Sequence, residues 1–216
     1  MFKRILNKRE MAKPTARTEI RSEPVLPDAK VSEEKLPIFR YLISPASHPS
    51  LIEKIGRCIC CNQNRRIFYN GPTYSTDFEI IEVCPWCIAD GSAATKWDVT
   101  FNDGFVDNEG VPQFGIDECF HDEIEGRTLG FISAQGNHWM YGKSGPMQFV
   151  GEVNYQVLLA ENNPRKVETV RETLSSIGSD DITLESCVES GERCSIYTYL
   201  FYDPEQDQYA AYWDRH

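Results

Sequence analysis

Cys58-Ile59-Cys60-Cys61 and Cys84-Pro85-Trp86-Cys87 each contain a C-x2-C pair, and 22 residues separate Cys61 from Cys84. Two thiolates at i and i+3 can face one ion from a single tight turn. Two such turns complete the tetrahedral sulfur set that zinc takes in structural sites. The spacing therefore predicts one structural zinc ion held by Cys58, Cys61, Cys84 and Cys87. Thiolates are soft ligands that suit zinc, and four of them leave the ion no open position for substrate. Ion binding of this kind contributes on the order of 10 kcal/mol to folding of a small module. A disulfide framework is the weaker reading, because a chain of 216 residues builds a core without covalent staples. A redox C-x2-C needs its own electropositive pocket and no second pair beside it. Cys60, between two ligands, is expected to point away.

The remaining reactive side chains form no comparable set. Cys119 and His121 are two apart, so on a strand they face opposite sides and share an ion only through a turn and other ligands. With nearby acids, they are the only parts from which an enzyme could be assembled. Cys187 and Cys194 are spaced to close a small disulfide loop, but a reducing compartment favours free thiols. Asp98, Asp103, Asp107 and Glu109 do not match the spacing of a calcium-binding EF-hand loop. They read as a solvated face, with a binding patch for a basic partner as the alternative. His138 beside Trp139 is read as packing. Gly142-Lys143-Ser144-Gly145 resembles a phosphate loop only superficially, since Asn137 stands where the first glycine is required. Nucleophile-elbow, H-E-x-x-H and dinucleotide fingerprints are absent from the sequence.

Charge narrows the partners. The net charge is −11, but residues 1–21 carry seven Lys/Arg against two Asp/Glu, and the rest carries 15 against 31. The arm is thus +5 and the body −16. Phosphate affinity rests on cationic contacts, so such a body is a poor general nucleic-acid binder. Opposite charge speeds encounter with a basic protein. No apolar run approaches the roughly 18 residues of a membrane span, which predicts no membrane partner. The N-terminal segment is basic without the apolar core of a secretory signal. The expected location is cytoplasmic.

The elements that must position these residues read as follows. Residues 1–35 are polar, charged and proline-containing, and are expected to form a disordered basic arm. Residues 36–216 are read as a single compact domain, with the zinc module at 56–96. Residues 36–42 look extended. Within the module, residues 66–69 and 78–83 have strand character and are joined around Asn70-Gly71-Pro72, which is how a zinc ribbon is assembled. A short helix is expected after Cys87, with Asp90 near its cap. Residues 97–118 read as loop with short extended pieces. The apolar stretch Val157-Leu158-Leu159-Ala160 has no assignable period. Pro164 opens a helix ending near Gly178, with Val167, Val170, Leu174 and Ile177 on one face. Residues 195–202 and 209–213 alternate around a turn and predict a hairpin. The fold class is α+β: a zinc-ribbon-like module with short antiparallel strands, one C-terminal helix and a final β-hairpin.

Several stretches taken together are more specific than the cysteines. They are Leu36-Pro37-Ile38-Phe39-Arg40-Tyr41, Tyr69-Asn70-Gly71-Pro72-Thr73-Tyr74, the run from Cys84-Pro85-Trp86-Cys87 to Ala94, and Gly126-Arg127-Thr128-Leu129-Gly130-Phe131. With Tyr199-Leu200-Phe201 and Tyr212-Trp213-Asp214, the chain resembles the bacterial CbrC family over about 36–140, and more weakly to its end. The resemblance implies tolerance of a nuclease colicin and defines no reaction. The family pattern carries a His-Cys pair where this chain has Gly142-Lys143 and a C-x2-C where it has Asp203 and Gln206, so the resemblance implies a second metal in relatives that this chain is expected to replace by hydrogen bonding and aromatic packing around Tyr202, Tyr209 and Trp213. The expected function is a non-enzymatic, zinc-stabilised bacterial protein conferring tolerance or immunity to a toxin by binding its basic domain. The alternative is a zinc-ribbon nucleic-acid-binding or regulatory adaptor tethered by the basic arm.

Overall fold

The computed structural model describes residues 18–20, 35–75, 78–80, 82–178, 182–191 and 194–215. Apart from residues 18–20 and 35, the expected basic arm lies outside the described residues. Strand β1 (Thr18–Ile20) pairs in parallel with β4 (Phe78–Ile80), while β2 (Leu51–Arg57) and β3 (Asn64–Tyr69) form an antiparallel hairpin around the first cysteine pair. The second cysteine pair opens helix α1 (Pro85–Ala89), and α2 (Ser92–Trp97) follows after a left-handed Gly91. Next come β5 (Phe105–Val106), α3 (Glu118–Arg127), β6 (Trp139–Gly142) and β7 (Gly145–Pro146), the three strands forming one small sheet in the order 5-6-7. The C-terminal part contains β8 (Gln148–Glu152), α4 (Tyr155–Ala160), α5 (Pro164–Ser175), α6 (Leu184–Ser190), β9 (Ile196–Asp203) and β10 (Gln208–Arg215). Here β9 runs antiparallel between β8 and β10.

Both faces of β9 are buried, and its period of two divides the molecule into two cores. Tyr199 and Phe201 belong to the first core with Phe131, Trp139 and Phe149, whereas Ile196 and Leu200 belong to the second with Val170, Leu174 and Leu184. In the first, Phe131 stacks on Phe149 at 4.7 Å and Trp139 meets Phe201 edge-on at 5.5 Å. Aromatic pairs in these geometries add about 1 kcal/mol each beyond area burial. The Trp139 indole donates to the Met147 carbonyl at 2.8 Å, so the burial of its N–H leaves no lost hydrogen bond. Buried Asp214 accepts from the Ala134 amide at 2.8 Å and from the Ser133 hydroxyl, which ties the last strand to the loop after Phe131.

The second core is built from short helices with explicit start signals. Asn154 caps α4 through the Gln156 and Val157 amides, and Asn163 caps α5 ahead of Pro164. Thr183 and Ser186 cap each other reciprocally at α6. On α5, Val170 and Leu174 are buried and Val167 half-buried, as their helical spacing requires; the helix ends at Ser175, short of the expected end near Gly178, and Ile177 packs half-buried just beyond it.

Four sequence expectations change. Strand β3 pairs with β2; among the described residues its bridge to the 78–83 stretch is the Tyr69 amide donating to the Val83 carbonyl at 2.9 Å. A β-carbon at Gly56 would lie 3.0 Å from the Phe68 ring, so glycine permits the β2–β3 approach. The single C-terminal helix becomes three, since α4 and α6 flank α5. Helix α3 was not foreseen either: it starts at the end of the stretch read as loop, 97–118, and runs through residues to which the sequence assigns no element. Residues 36–42 form no strand: Leu42 makes one parallel bridge to Phe149, while Phe39 and Tyr41 bury their rings. Among the described residues no helix is long and apolar enough to cross a membrane.

Candidate metal centre

The first cysteine pair sits at the tip of the β2–β3 hairpin. Cys58 donates its amide to the Gln63 carbonyl at 2.9 Å and accepts from the Asn62 amide at 2.8 Å, closing a knuckle. Asn62 makes that turn in the left-handed region at φ 61°, which asparagine tolerates better than most side chains. The second pair is set by helix geometry. Cys84 is the extended N-cap of α1, Pro85 fills the first helical position, and Cys87 returns its amide to the Cys84 carbonyl at 3.1 Å. The Cys84 amide also donates to the Cys58 sulfur at 3.3 Å, so the two pairs are joined through the backbone.

All four sulfurs lie within 4.8 Å of one another. The Sγ separations are 3.8 Å for Cys58 and Cys87, 3.8 Å for Cys61 and Cys84, and 3.5 Å for Cys84 and Cys87. Four metal–sulfur bonds of about 2.3 Å in a tetrahedron put sulfurs about 3.8 Å apart. The donor set therefore fits one four-coordinate ion. Cys58 and Cys84 are fully buried, Cys87 is 2% exposed and Cys61 is half-buried, which leaves little room for a fifth ligand.

Thiol electrostatics point the same way. Hydrogen bonds from Cys84 and Cys87 pull Cys58 far below the ordinary thiol range. The same bonding to Cys58 pushes Cys84 up to about 12 and raises Cys87 as well. A divalent ion bound here would replace thiol protons and relieve this mutual opposition. The surroundings carry compensating cations. Lys96 donates to the Ile59 carbonyl at 3.1 Å and to the Cys60 carbonyl at 3.5 Å, and Arg127 donates to the Ala89 carbonyl at 3.0 Å at the end of α1. Arg65 stacks over the Trp86 ring at 4.5 Å. Cys60 stands aside from the cluster, its sulfur 3.4 Å from the Ser92 hydroxyl. The placement of Lys96, Arg65 and Arg127 beside the cluster was not legible in the sequence, where nothing marks a cation as facing a particular carbonyl or ring.

Other candidate residues are separated or otherwise engaged. Cys119 and His121 lie on a helix instead of a strand, about 200° apart around its axis, and do not converge. His121 pairs with Glu125 at 2.6 Å and meets the Phe105 ring edge-on at 5.0 Å. Hydrogen bonding to the Asp117 carboxylate raises the Cys119 thiol, which works against nucleophilic use. Asp98 ends α2 in the left-handed region, and the Asp103 backbone carbonyl is hydrogen-bonded to His138. Asp107 accepts from the Glu109 and Val111 amides, each at 2.9 Å, and so organises a turn; Glu109 and Asp103 are exposed. The segments for which replaced ligands were expected do meet. A β-carbon at Gly142 would come 3.0 Å from an Asp203 carboxylate oxygen, and Gln206 donates to the Ser144 hydroxyl at 3.1 Å. Tyr202 and Tyr209 pack at 4.9 Å, while Trp213 packs against the second core.

A model of an uncharacterised protein family, UPF0167, matches residues 36–215. Over 120 residues the chain is 36% identical to UPF0167 proteins of Mycobacterium bovis and Mycobacterium tuberculosis, covering 56% of this chain and 62% of theirs. It is 34% identical over 106 residues to a UPF0167 protein of Pseudomonas aeruginosa, covering 49% of this chain and 57% of that one. The chain thus spans about three fifths of the length of the curated relatives it matches. No solved structure matches. The chain belongs to the UPF0167 family. The resemblance to the CbrC family is corrected accordingly, since both the family model and the curated relatives carry the UPF0167 name.

Proposed function

We propose that this UPF0167 protein is a zinc-stabilised, non-enzymatic binding protein whose acidic surface takes a basic protein partner. A basic toxin domain is the partner class, and tolerance of that toxin is the outcome. The observation that carries the reading is residues 98–126, which hold nine Asp/Glu and no Lys/Arg. From this stretch Phe114 projects 89% exposed and Val111 50% exposed, beside exposed Glu109, Asp117 and Glu118. An apolar anchor within a single-sign field suits a cationic surface with a pocket for an aromatic ring.

Zinc is the ion we assign, because four thiolates at tetrahedral spacing favour it and leave it without an open position. The β2–β3 knuckle and the first turn of α1 are then a zinc-ribbon-like scaffold, and reduced thiolates go with a cytoplasmic location. Support for a non-enzymatic role comes from the engagement of Cys119 with Asp117 and of His121 with Glu125.

The test is binding of the purified full chain to a panel of basic nuclease toxin domains, with protection of cells expressing them. The reading predicts salt-sensitive binding that weakens at least about tenfold in Phe114→Ala and Glu109→Lys, as for a central aromatic anchor and a steering charge. Failure to bind or protect would remove it. Salt-sensitive DNA binding that disappears on deleting residues 1–21 would replace it with the nucleic-acid adaptor.

A further inference from the structure

Cys187 on α6 and Cys194, two residues before β9, place their sulfurs 2.9 Å apart. That is inside van der Waals contact and within about 1 Å of a disulfide bond length. Both line one cleft of about 430 Å³, whose walls include Glu152, Asn154, Gln156 and Tyr197. Cys187 forms the inner wall at 3% exposure, and Cys194 is half-buried nearer the mouth. The Tyr155 hydroxyl donates to the Ile196 carbonyl at 2.9 Å and lies 3.0 Å from the Thr198 hydroxyl, fixing the cleft next to the pair. Among the described residues no His, Asp, Glu or third Cys joins these sulfurs in a ligand set, so the geometry suits sulfur–sulfur bonding over metal binding.

We propose that Cys187 and Cys194 form a thiol–disulfide exchange site whose cleft admits a low-molecular-weight disulfide, RSSR. The Cys194 thiolate, its proton lost to solvent, attacks one sulfur of RSSR. The S–S bond breaks, a mixed disulfide forms on Cys194, and the departing thiolate takes a proton to become RSH. The Cys187 thiolate then attacks the Cys194 sulfur, expelling the second thiolate, which also becomes RSH. In sum the protein dithiol loses two electrons and two protons, and RSSR gains them. Accessibility sets this order. Burial first, then hydrogen bonding and charge repulsion from Cys194, push the Cys187 thiol up to about 12. The last two causes vanish once Cys194 is capped, so the first step prepares the second.

Oxidised glutathione added to the folded, zinc-loaded full chain, followed by alkylation and trypsin, tests this directly. Arg193 lies between the two cysteines, and the tryptic peptides 172–193 and 194–215 contain one cysteine each. Exchange predicts these two peptides joined by a reducible bond, forming at least about tenfold faster than glutathione caps exposed Cys119. In Cys187→Ser the product becomes a stable glutathione adduct on Cys194. The wild-type result stands even if that variant folds poorly. Recovery of both peptides as alkylated thiols while Cys119 is capped would overturn the proposal. So would an unresolved adduct on wild-type Cys194, or cross-linking no faster than capping of Cys119.

Discussion

The two cysteine groups belong to the two cores that β9 separates, and they solve different problems. In the first core, four sulfurs gather at tetrahedral spacing from a hairpin tip and a five-residue helix. Neither element is long enough to persist alone, since isolated helices under about 12 residues are marginal even in favourable sequences. A bound ion would close what the chain leaves open. In the second core, α4, α5 and α6 start at side-chain caps and bury aliphatic residues, and two sulfurs lie 2.9 Å apart. The number of donors at one point decides the chemistry. Four thiolates hold a metal and become inert, whereas two remain available for exchange.

Removing the proposed zinc ion should break this contrast most visibly. Chelation, or Cys84→Ser, is expected to forfeit metal-coupled folding energy on the order of 10 kcal/mol in the first module. Hydrogen exchange should then show lost protection in β2, β3 and α1 while β9 and β10 keep theirs. Equal loss in both cores would mean that the ion supports the whole domain. A smaller effect is expected from the opposite side. Leu174 is fully buried, so Leu174→Ala should cost about 3 kcal/mol by chemical denaturation. Its zinc content should not change. The smallest effect concerns the rim of the metal site. Lys96→Ala removes the ammonium from the Ile59 and Cys60 carbonyls, and zinc affinity measured by chelator competition should fall about tenfold with the fold intact.

How much could be read in advance depended on how local each signal was. Ligand spacing is local, and the four cysteines indicated by sequence are the four that converge. Helix α5 was legible because buried positions recur with the helical period, as at Val170 and Leu174, and the final hairpin because strand-forming residues flank the turn between β9 and β10. Strand β2 was not, since four of its seven residues are exposed and no alternation shows. Helix α3 buries only Ile124, and α6 only Leu184 and Cys187, so neither leaves a stripe to recognise. The partner of β3 was misassigned because strand character on the C-terminal side of the knuckle hid the hairpin on its N-terminal side. The engagement of Cys119 by Asp117, and of His121 by Glu125, depended on an unforeseen helix and could not be inferred from the spacing of either residue alone.

The central claim is that the cysteine cluster is a closed scaffold and that function resides on the surface it supports. X-ray absorption at the zinc edge, combined with metal analysis of the purified full chain, tests it most directly. The account predicts one zinc ion per chain, surrounded by four sulfurs at about 2.3 Å. Zinc with fewer than four sulfurs and an oxygen ligand, or a chain that binds no zinc, would contradict it.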